Sequence, residues 1–336
     1  MEYIRVFQSQ QDAEQQLAQI THPTLSAVRG GGFIGLHQGA SPTPPGPVID
    51  PTVPFYIEDV SGSENTVQIT PTPQAPICAI DKSTDGETWE FMGYTSATIT
   101  ATIPANGRLY LRCNTTALGN NSSYNTINTT GDCNLGGNIM SLLYGSDFTG
   151  NEINFPSDSF ANFYYLFKDN THIISAANLL LPATTLTYKC YYYMFSGCTS
   201  LTAAPALPAT TLANNCYDRM FVNCTSLTSA PALPATTLTN YCYQFMFQGC
   251  TSLTSAPELP ATTLVQACYS NMFYGCSNLN YIKCLATNKS ATQATYYWTR
   301  NVASSGTFVK DPNISESIWG SGSNGIPSGW TVEDAA

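Results

Sequence analysis

Eight of the twelve cysteines fall in two series, Cys190, Cys216, Cys242 and Cys268, and Cys198, Cys224, Cys250 and Cys276, each member 26 residues after the one before. Thiols in such numbers could hold a metal, form disulfides or pack as small apolar groups. Zinc sites use closely spaced pairs with thiolate or imidazole partners, whereas these pairs are eight apart in apolar surroundings with no histidine near. Cysteines stacked from unit to unit point in parallel and miss the dihedral that a disulfide requires. The eight are therefore expected to be the structural core of a repeat, with no metal. Histidine occurs only at positions 22, 37 and 172, and residues 177–286 carry five charged groups, Lys189, Asp218, Arg219, Glu258 and Lys283. Neither a nucleophile with its base nor a carboxylate pair emerges, so no catalytic residue, no enzymatic activity and no cofactor are expected. Asp81-Lys82-Ser83-Thr84-Asp85-Gly86 begins like a calcium loop, but Met92 stands where the twelfth position needs an acid, so it reads as a turn. Gly30-Gly31-Gly32 lacks the strand-to-helix setting and the lysine of a phosphate loop and reads as a hinge.

The other candidates are contact residues. Comparison of the four repeat copies separates constant from variable positions. The variable ones are Tyr188, Lys189, Tyr192, Tyr193, Asn214, Asn215, Asp218, Arg219, Asn240, Tyr241, Gln244, Phe245, Gln266, Ser270 and Asn271. Aromatics mixed with amides suit glycan or protein contacts, and solvated positions free to drift would look the same. A second surface carries Thr199, Thr202, Thr225, Thr228, Thr251 and Thr254. It is either a binding face or an expression of β-propensity.

The elements that must position these residues follow from the unit, approximately LPATTLxxxCYxxMFxGCTSLTxAPx, with a degenerate earlier copy from about Phe155 to Ile173 that fits a cap. On a wheel of about 100° per residue, Leu186, Cys190, Tyr191, Met194 and Phe195 share one half and predict the buried side of a short helix. Thr184 and Thr185 can cap its start, and Gly197, Asn223, Gly249 or Gly275 follows its end, where positive φ is tolerated. Cys198-Thr199-Ser200-Leu201-Thr202 is β-compatible. One strand and one helix per unit predict a solenoid whose strands stack about 4.8 Å apart.

The chain has 336 residues, room for two or three domains, and only 10% charged residues with a net charge of −10. A nucleic-acid partner or an anionic membrane is not expected. No apolar run approaches the roughly 20 residues that span a bilayer, so no membrane insertion is expected, and the charged start MEYIRVFQSQQDAEQQ does not read as an export signal. Residues 1–29 read as a small attachment unit, and 30–53, dense in glycine and proline, as a semi-rigid linker. Residues 54–120 show alternation in Ile99, Ala101 and Ile103 and in Leu109, Leu111 and Cys113. With the turn dipeptides Asp85-Gly86 and Asn106-Gly107, this predicts an antiparallel, immunoglobulin-like β-sandwich. Residues 121–286 are the repeat array with its cap and 287–336 a closing segment, giving a multidomain, β-rich chain with α/β repeats.

The unit MFxGCTSLTxAPxLPATTL resembles the BspA-like, Treponema-type leucine-rich repeat of surface proteins of gut Bacteroides and of phages that infect them. The match covers about 136–286, and Gly306-Thr307-Phe308-Val309-Lys310 with Gly325-Ile326-Pro327-Ser328-Gly329-Trp330-Thr331-Val332 resembles the segment closing such arrays. Met194 and its equivalents stand where that family usually has alanine, and the unit is a few residues longer. The resemblance implies a virion appendage of a phage, its N-terminal unit docked on virion proteins and its repeats touching a host-surface glycan or protein, with homo-oligomers possible. The alternatives are a bacterial cell-surface adhesin of the same class and a decorating virion protein without a ligand.

Overall fold

The computed structural model describes residues 49–156 and 160–336. The attachment unit, most of the linker, His22, His37 and the triple glycine lie outside the described residues. The chain is β-rich, with several sheets and very little helix.

Alternation of apolar and polar residues produces two facing sheets. The first contains β1 (Tyr56–Asp59), β3 (Ala79–Ser83), β4 (Glu90–Tyr94), β6 (Arg108–Cys113), β8 (Cys133–Asn138) and β9 (Ile173–Leu180), in the order β4-β3-β6-β1-β8-β9. The second is β5 (Ile99–Ile103), β2 (Asn65–Pro71) and β7 (Asn125–Thr129), in the order β5-β2-β7. All pairs are antiparallel except β8 with β9. Val67, Ile69, Ala101, Ile103 and Ile127 of one sheet and Ile57, Ile80, Leu109, Leu111 and Leu135 of the other are buried in one core. Residue 120 is not the end of this body, since β7 and β8 follow it. Asp85-Gly86 does turn a hairpin, between β3 and β4, with Gly86 at φ 80°. Asn106-Gly107 instead crosses between sheets: β5 and β6 belong to different ones. Asn106 takes φ 53°, and a Cβ at position 107 would lie 2.9 Å from that of Pro104.

After β8 comes a short helix α1 (Ser141–Tyr144), and the chain then climbs in 26-residue rungs. The helix expected over 186–195 is absent, and so is the strand expected over 198–202. The equivalent segments of all rungs are successive tight turns. Within a rung, alternate amides bond three residues back: Cys190 to Thr187, Tyr192 to Lys189, Met194 to Tyr191 and Ser196 to Tyr193. The intervening amides donate to the next rung: Lys189 to Asn214, Tyr191 to Cys216, Tyr193 to Asp218, Phe195 to Met220 and Gly197 to Val222. Every other turn carries a positive φ, at Lys189 (56°), Tyr193 (56°) and Gly197 (78°), and the same three positions recur as Asn215, Arg219 and Asn223 and as Tyr241, Phe245 and Gly249. Positive φ at the third turn residue is the mark of a type II turn. This arrangement pairs the backbone as fully as a helix would, but spends half the amide donors on the neighbouring rung. Local preference opposes it little, because residues 187–198, TYKCYYYMFSGC, hold few strong helix formers besides Lys189 and Met194.

A turn ribbon of this kind has a period of four, so buried pairs alternate with outward pairs: Cys190–Tyr191, then Tyr192–Tyr193, then Met194–Phe195. The buried pairs stack into columns. Phe163, Tyr191, Tyr217, Tyr243 and Tyr269 are nearly parallel with centroids 5.6–6.1 Å apart. Phe167, Phe195, Phe221, Phe247 and Phe273 form the second column at 5.2–5.9 Å. Phe55 of the sandwich touches Phe167 at 5.8 Å, so one apolar core runs through both parts.

Both ends of the stack are closed. At the start, the amides of Leu118 and Ile127 donate to Asn162 and Leu166, so the sandwich satisfies carbonyls of the first rung. At the far end, Trp298 packs against Tyr269 and stacks on Trp319 at 5.5 Å. Trp319 belongs to α2 (Glu316–Trp319), and the extended strands β10 (Tyr281–Cys284), β11 (Thr307–Lys310) and β12 (Thr331–Asp334) pair in parallel beside it.

Candidate functional site: the outward turn face

The repeat cysteines are all free and buried. Each thiol of the second series reaches a carbonyl of the rung before: Cys198 to Phe167 at 3.1 Å, Cys224 to Phe195 at 3.1 Å, Cys250 to Phe221 at 3.1 Å and Cys276 to Phe247 at 3.0 Å. A small apolar side chain with a weak donor suits these positions, where alanine would leave space and serine a stronger polar group to bury. Burial pushes the thiols up, Cys190 and Cys276 to about 12 and Cys268 to about 11, far from the thiolate range in which cysteine reacts. Among the described residues no three His, Cys, Asp or Glu side chains are placed to hold a metal ion. His172 pairs with Asp132 at 3.2 Å on the surface. Among the described residues no helix is long and apolar enough to cross a membrane.

The threonine face is a hydrogen-bond ladder. Thr202 donates its hydroxyl to the carbonyl of Ile174 at 2.9 Å, Thr225 to Thr199 at 3.3 Å, Thr228 to Thr202 at 3.4 Å and Thr251 to Thr225 at 3.4 Å. These hydroxyls satisfy main-chain carbonyls, a role that neither strand preference nor ligand contact had suggested.

The outward pairs of the turn ribbon form the other face. Lys189, Tyr192, Tyr193, Asn215, Arg219, Asn240, Tyr241, Gln244 and Phe245 are half-buried, and Tyr188, Asn214 and Gln266 are exposed. Three expected members are not exposed: Asp218 is 1% exposed, Ser270 2% and Asn271 9%. Their neighbours on adjacent rungs cover them, since equivalent positions stack directly over one another. Asp218 accepts from Asn215 at 2.9 Å and from Arg219 at 2.9 Å, and Asn271 donates to Ser270 at 2.9 Å. Burial outweighs the Arg219 guanidinium, and the Asp218 carboxyl is pushed up to about 6.

The same stacking turns the aromatics into a ladder. Tyr164 lies 5.0 Å from Tyr192 at 5°, and Tyr165 4.6 Å from Tyr193 at 11°. Arg219 continues the second column, its guanidinium 5.5 Å from the Tyr193 ring and 4.1 Å from the Phe245 ring. Lys189 sits among Tyr192 at 5.0 Å, Tyr188 at 5.2 Å and Tyr164 at 5.8 Å. Tyr124, from the sandwich, stacks on Tyr165 at 4.4 Å and 11° and extends the ladder beyond the repeats. Tyr124, Tyr164, Tyr165 and Lys168 were missed because they precede the recognisable repeat. The adjacent tyrosines of the degenerate first copy, Tyr164-Tyr165 against Tyr192-Tyr193, were the available signal.

Stacking holds the half-buried Tyr165, Tyr192 and Tyr193 and the buried Tyr164 in fixed positions, so the face offers rigid aromatic groups punctuated by cations. Such groups lose little conformational entropy on contact. Compared with protein-family models, curated proteins and solved structures, the chain matches none.

Proposed function

We propose that the 26-residue array is a leucine-rich-repeat solenoid of the BspA-like class, and that the chain is a non-enzymatic virion appendage which adheres to the host surface through its outward turn face. The observation that carries the adhesive role is the continuous ladder from Tyr124 through Tyr165, Tyr193 and Arg219 to Phe245. Tyrosine and arginine held rigidly side by side are the composition of contact hot spots. The one-rung register of hydrogen bonds supports the solenoid reading. The virion assignment rests on the resemblance of the repeat and its closing segment to arrays carried by Bacteroides phages.

Mechanism on this reading is contact. The cysteine, tyrosine and phenylalanine columns fix the spacing of the rungs, and the rungs fix the spacing of the outward side chains. The test is competition. Soluble full chain added to Bacteroides cells should reduce adsorption of particles that carry the chain, and the chain should be found in those particles after purification. Undiminished adsorption at saturating soluble chain, or particles without the chain, would overturn the proposal.

A further inference from the structure

Where the sandwich meets the first rung there is a cleft of about 450 Å³. It is lined by Thr70 of β2, by Tyr124, by Thr126 and Asn128 of β7, and by Lys168 and Asp169 of the first rung. The strand residues are the outward members of an alternation whose inward members, Ile69 and Ile127, fill the core. Cross-strand pairing sets Thr70 opposite Thr126. The Thr126 hydroxyl donates to the carbonyl of Thr70 at 3.3 Å, and the Asn128 amide donates to Thr126 at 3.4 Å, which fixes both side chains.

The lining identifies a chemical class. Small-molecule pockets are usually apolar with a few polar groups. This one is about evenly divided, with hydroxyls, a carboxamide, an ammonium and a carboxylate, and Tyr124 as the aromatic surface. Lys168 and Asp169 are in contact with each other, so the wall carries both signs and no net charge. Tyr124 is held by its stack on Tyr165, so its ring is fixed. A fixed ring beside convergent donors and acceptors without net charge suits a neutral, polyhydroxylated ring.

Two other clefts lack this combination. The one around Lys82 and Thr88 contains Asp85, whose carboxylate is taken up by its own loop through the amides of Glu87 at 2.8 Å and Thr88 at 2.7 Å. The one beside Ile77 mixes prolines and alanines with threonines, Ser96 and Gln74, and has neither an aromatic ring nor a charged group.

We infer that the junction cleft is a subsite for one or two pyranose units of a neutral glycan, stacked on Tyr124 and hydrogen-bonded through ring hydroxyls to Asp169, Lys168 and Asn128. The inference rests on the adhesive reading of the turn face and names its ligand class and the place where the glycan chain begins. A glycan seated there would continue along the ladder from Tyr165 to Tyr193.

The test is titration of the full chain with methyl glycosides of glucose, galactose, mannose, fucose and N-acetylglucosamine, read by saturation-transfer NMR. At least one should bind saturably with a dissociation constant of about 1 mM, equivalent to about 4 kcal/mol. Asp169→Asn, which keeps a side chain tolerant of the φ of 60° at that position, and Asn128→Ala on the solvent face should each weaken it at least fivefold, and Tyr124→Leu tenfold. Glu258→Gln, on an exposed pair with Lys283, should leave it unchanged. No saturable glycoside, or binding indifferent to the three cleft variants, would overturn the subsite. Cell adhesion that persists without glycoside binding removes this inference and leaves the adhesive role standing, whereas glycoside binding without cell adhesion does the opposite.

Discussion

Replacing Gln293 by glycine should stabilise the protein. Gln293 is exposed, sits at φ 57°, and occupies the turn position held in other rungs by Ala161, Lys189, Asn215, Tyr241 and Ala267, each between φ 50° and 62°. A residue with a Cβ in this left-handed region costs about 1–2 kcal/mol. Glycine escapes that cost but loses roughly 0.5–1 kcal/mol through the greater freedom of its unfolded chain. The net expectation is a gain of about 0.5–1 kcal/mol, by these two magnitudes. In an α-helix the same change would cost about 1 kcal/mol and Gln293→Ala would be mildly favourable. Urea unfolding followed by tryptophan fluorescence is suited to the measurement, because buried Trp298 lies in this rung and stacks on Trp319. The midpoint should rise for Gln293→Gly at unchanged slope and stay near wild type for Gln293→Ala. A fall for the glycine variant would refute the turn geometry.

Other consequences can be measured with the same protein. Phe221→Ala opens the centre of a column in which Phe221 lies 5.6 Å from Phe195 and 5.7 Å from Phe247, and should cost about 3–5 kcal/mol in urea unfolding. The repeat thiols should resist a thiol-specific disulfide reagent at pH 8 in the native state and react together on unfolding, since burial raises them and keeps them from solvent. The Asp218 carboxyl is raised to about 6 from its ordinary 3.8, so the native state holds the extra proton between these values and stability falls as pH rises through that window. The loss amounts to about 3 kcal/mol at most, and Asp218→Asn should flatten this part of the pH profile of urea unfolding.

The buried side of the repeat was legible before its backbone was. Cys190, Tyr191, Met194 and Phe195 are constant because they are interior, and comparison of copies finds that under either backbone geometry. The geometry itself was hidden by period. At about 100° per residue a helix overshoots a full turn by only about 40° every four residues, so a stretch this short fits 3.6 and four almost equally. The constant spacing Cys190, Met194, Cys198 is the clue favouring four, together with weak helix propensity throughout 187–198. The glycines at 197, 249 and 275 marked one left-handed position per rung. Those at 189 and 193 carry Lys and Tyr, residue types that give no such sign, and only stacking on the next rung holds them there.

The site was legible in its repeat portion and obscure at its edges. Tyr192, Tyr193, Arg219 and Phe245 were found as variable positions, but variability does not distinguish an exposed side chain from one covered by its neighbours. Asp218, Ser270 and Asn271 show the difference, buried between rungs at positions that vary because each pairs locally. Tyr124 comes from outside the repeat, so no internal comparison could place it on the ladder.

The central claim is that the ladder makes contact with a cell surface, and binding of labelled full chain to intact Bacteroides cells tests it most directly. Saturable binding, lost when Tyr192 and Tyr193 are both changed to serine in a variant that still unfolds cooperatively, is the expected result. Absence of saturable binding by the unmodified chain, or equal binding by the folded variant, would contradict it.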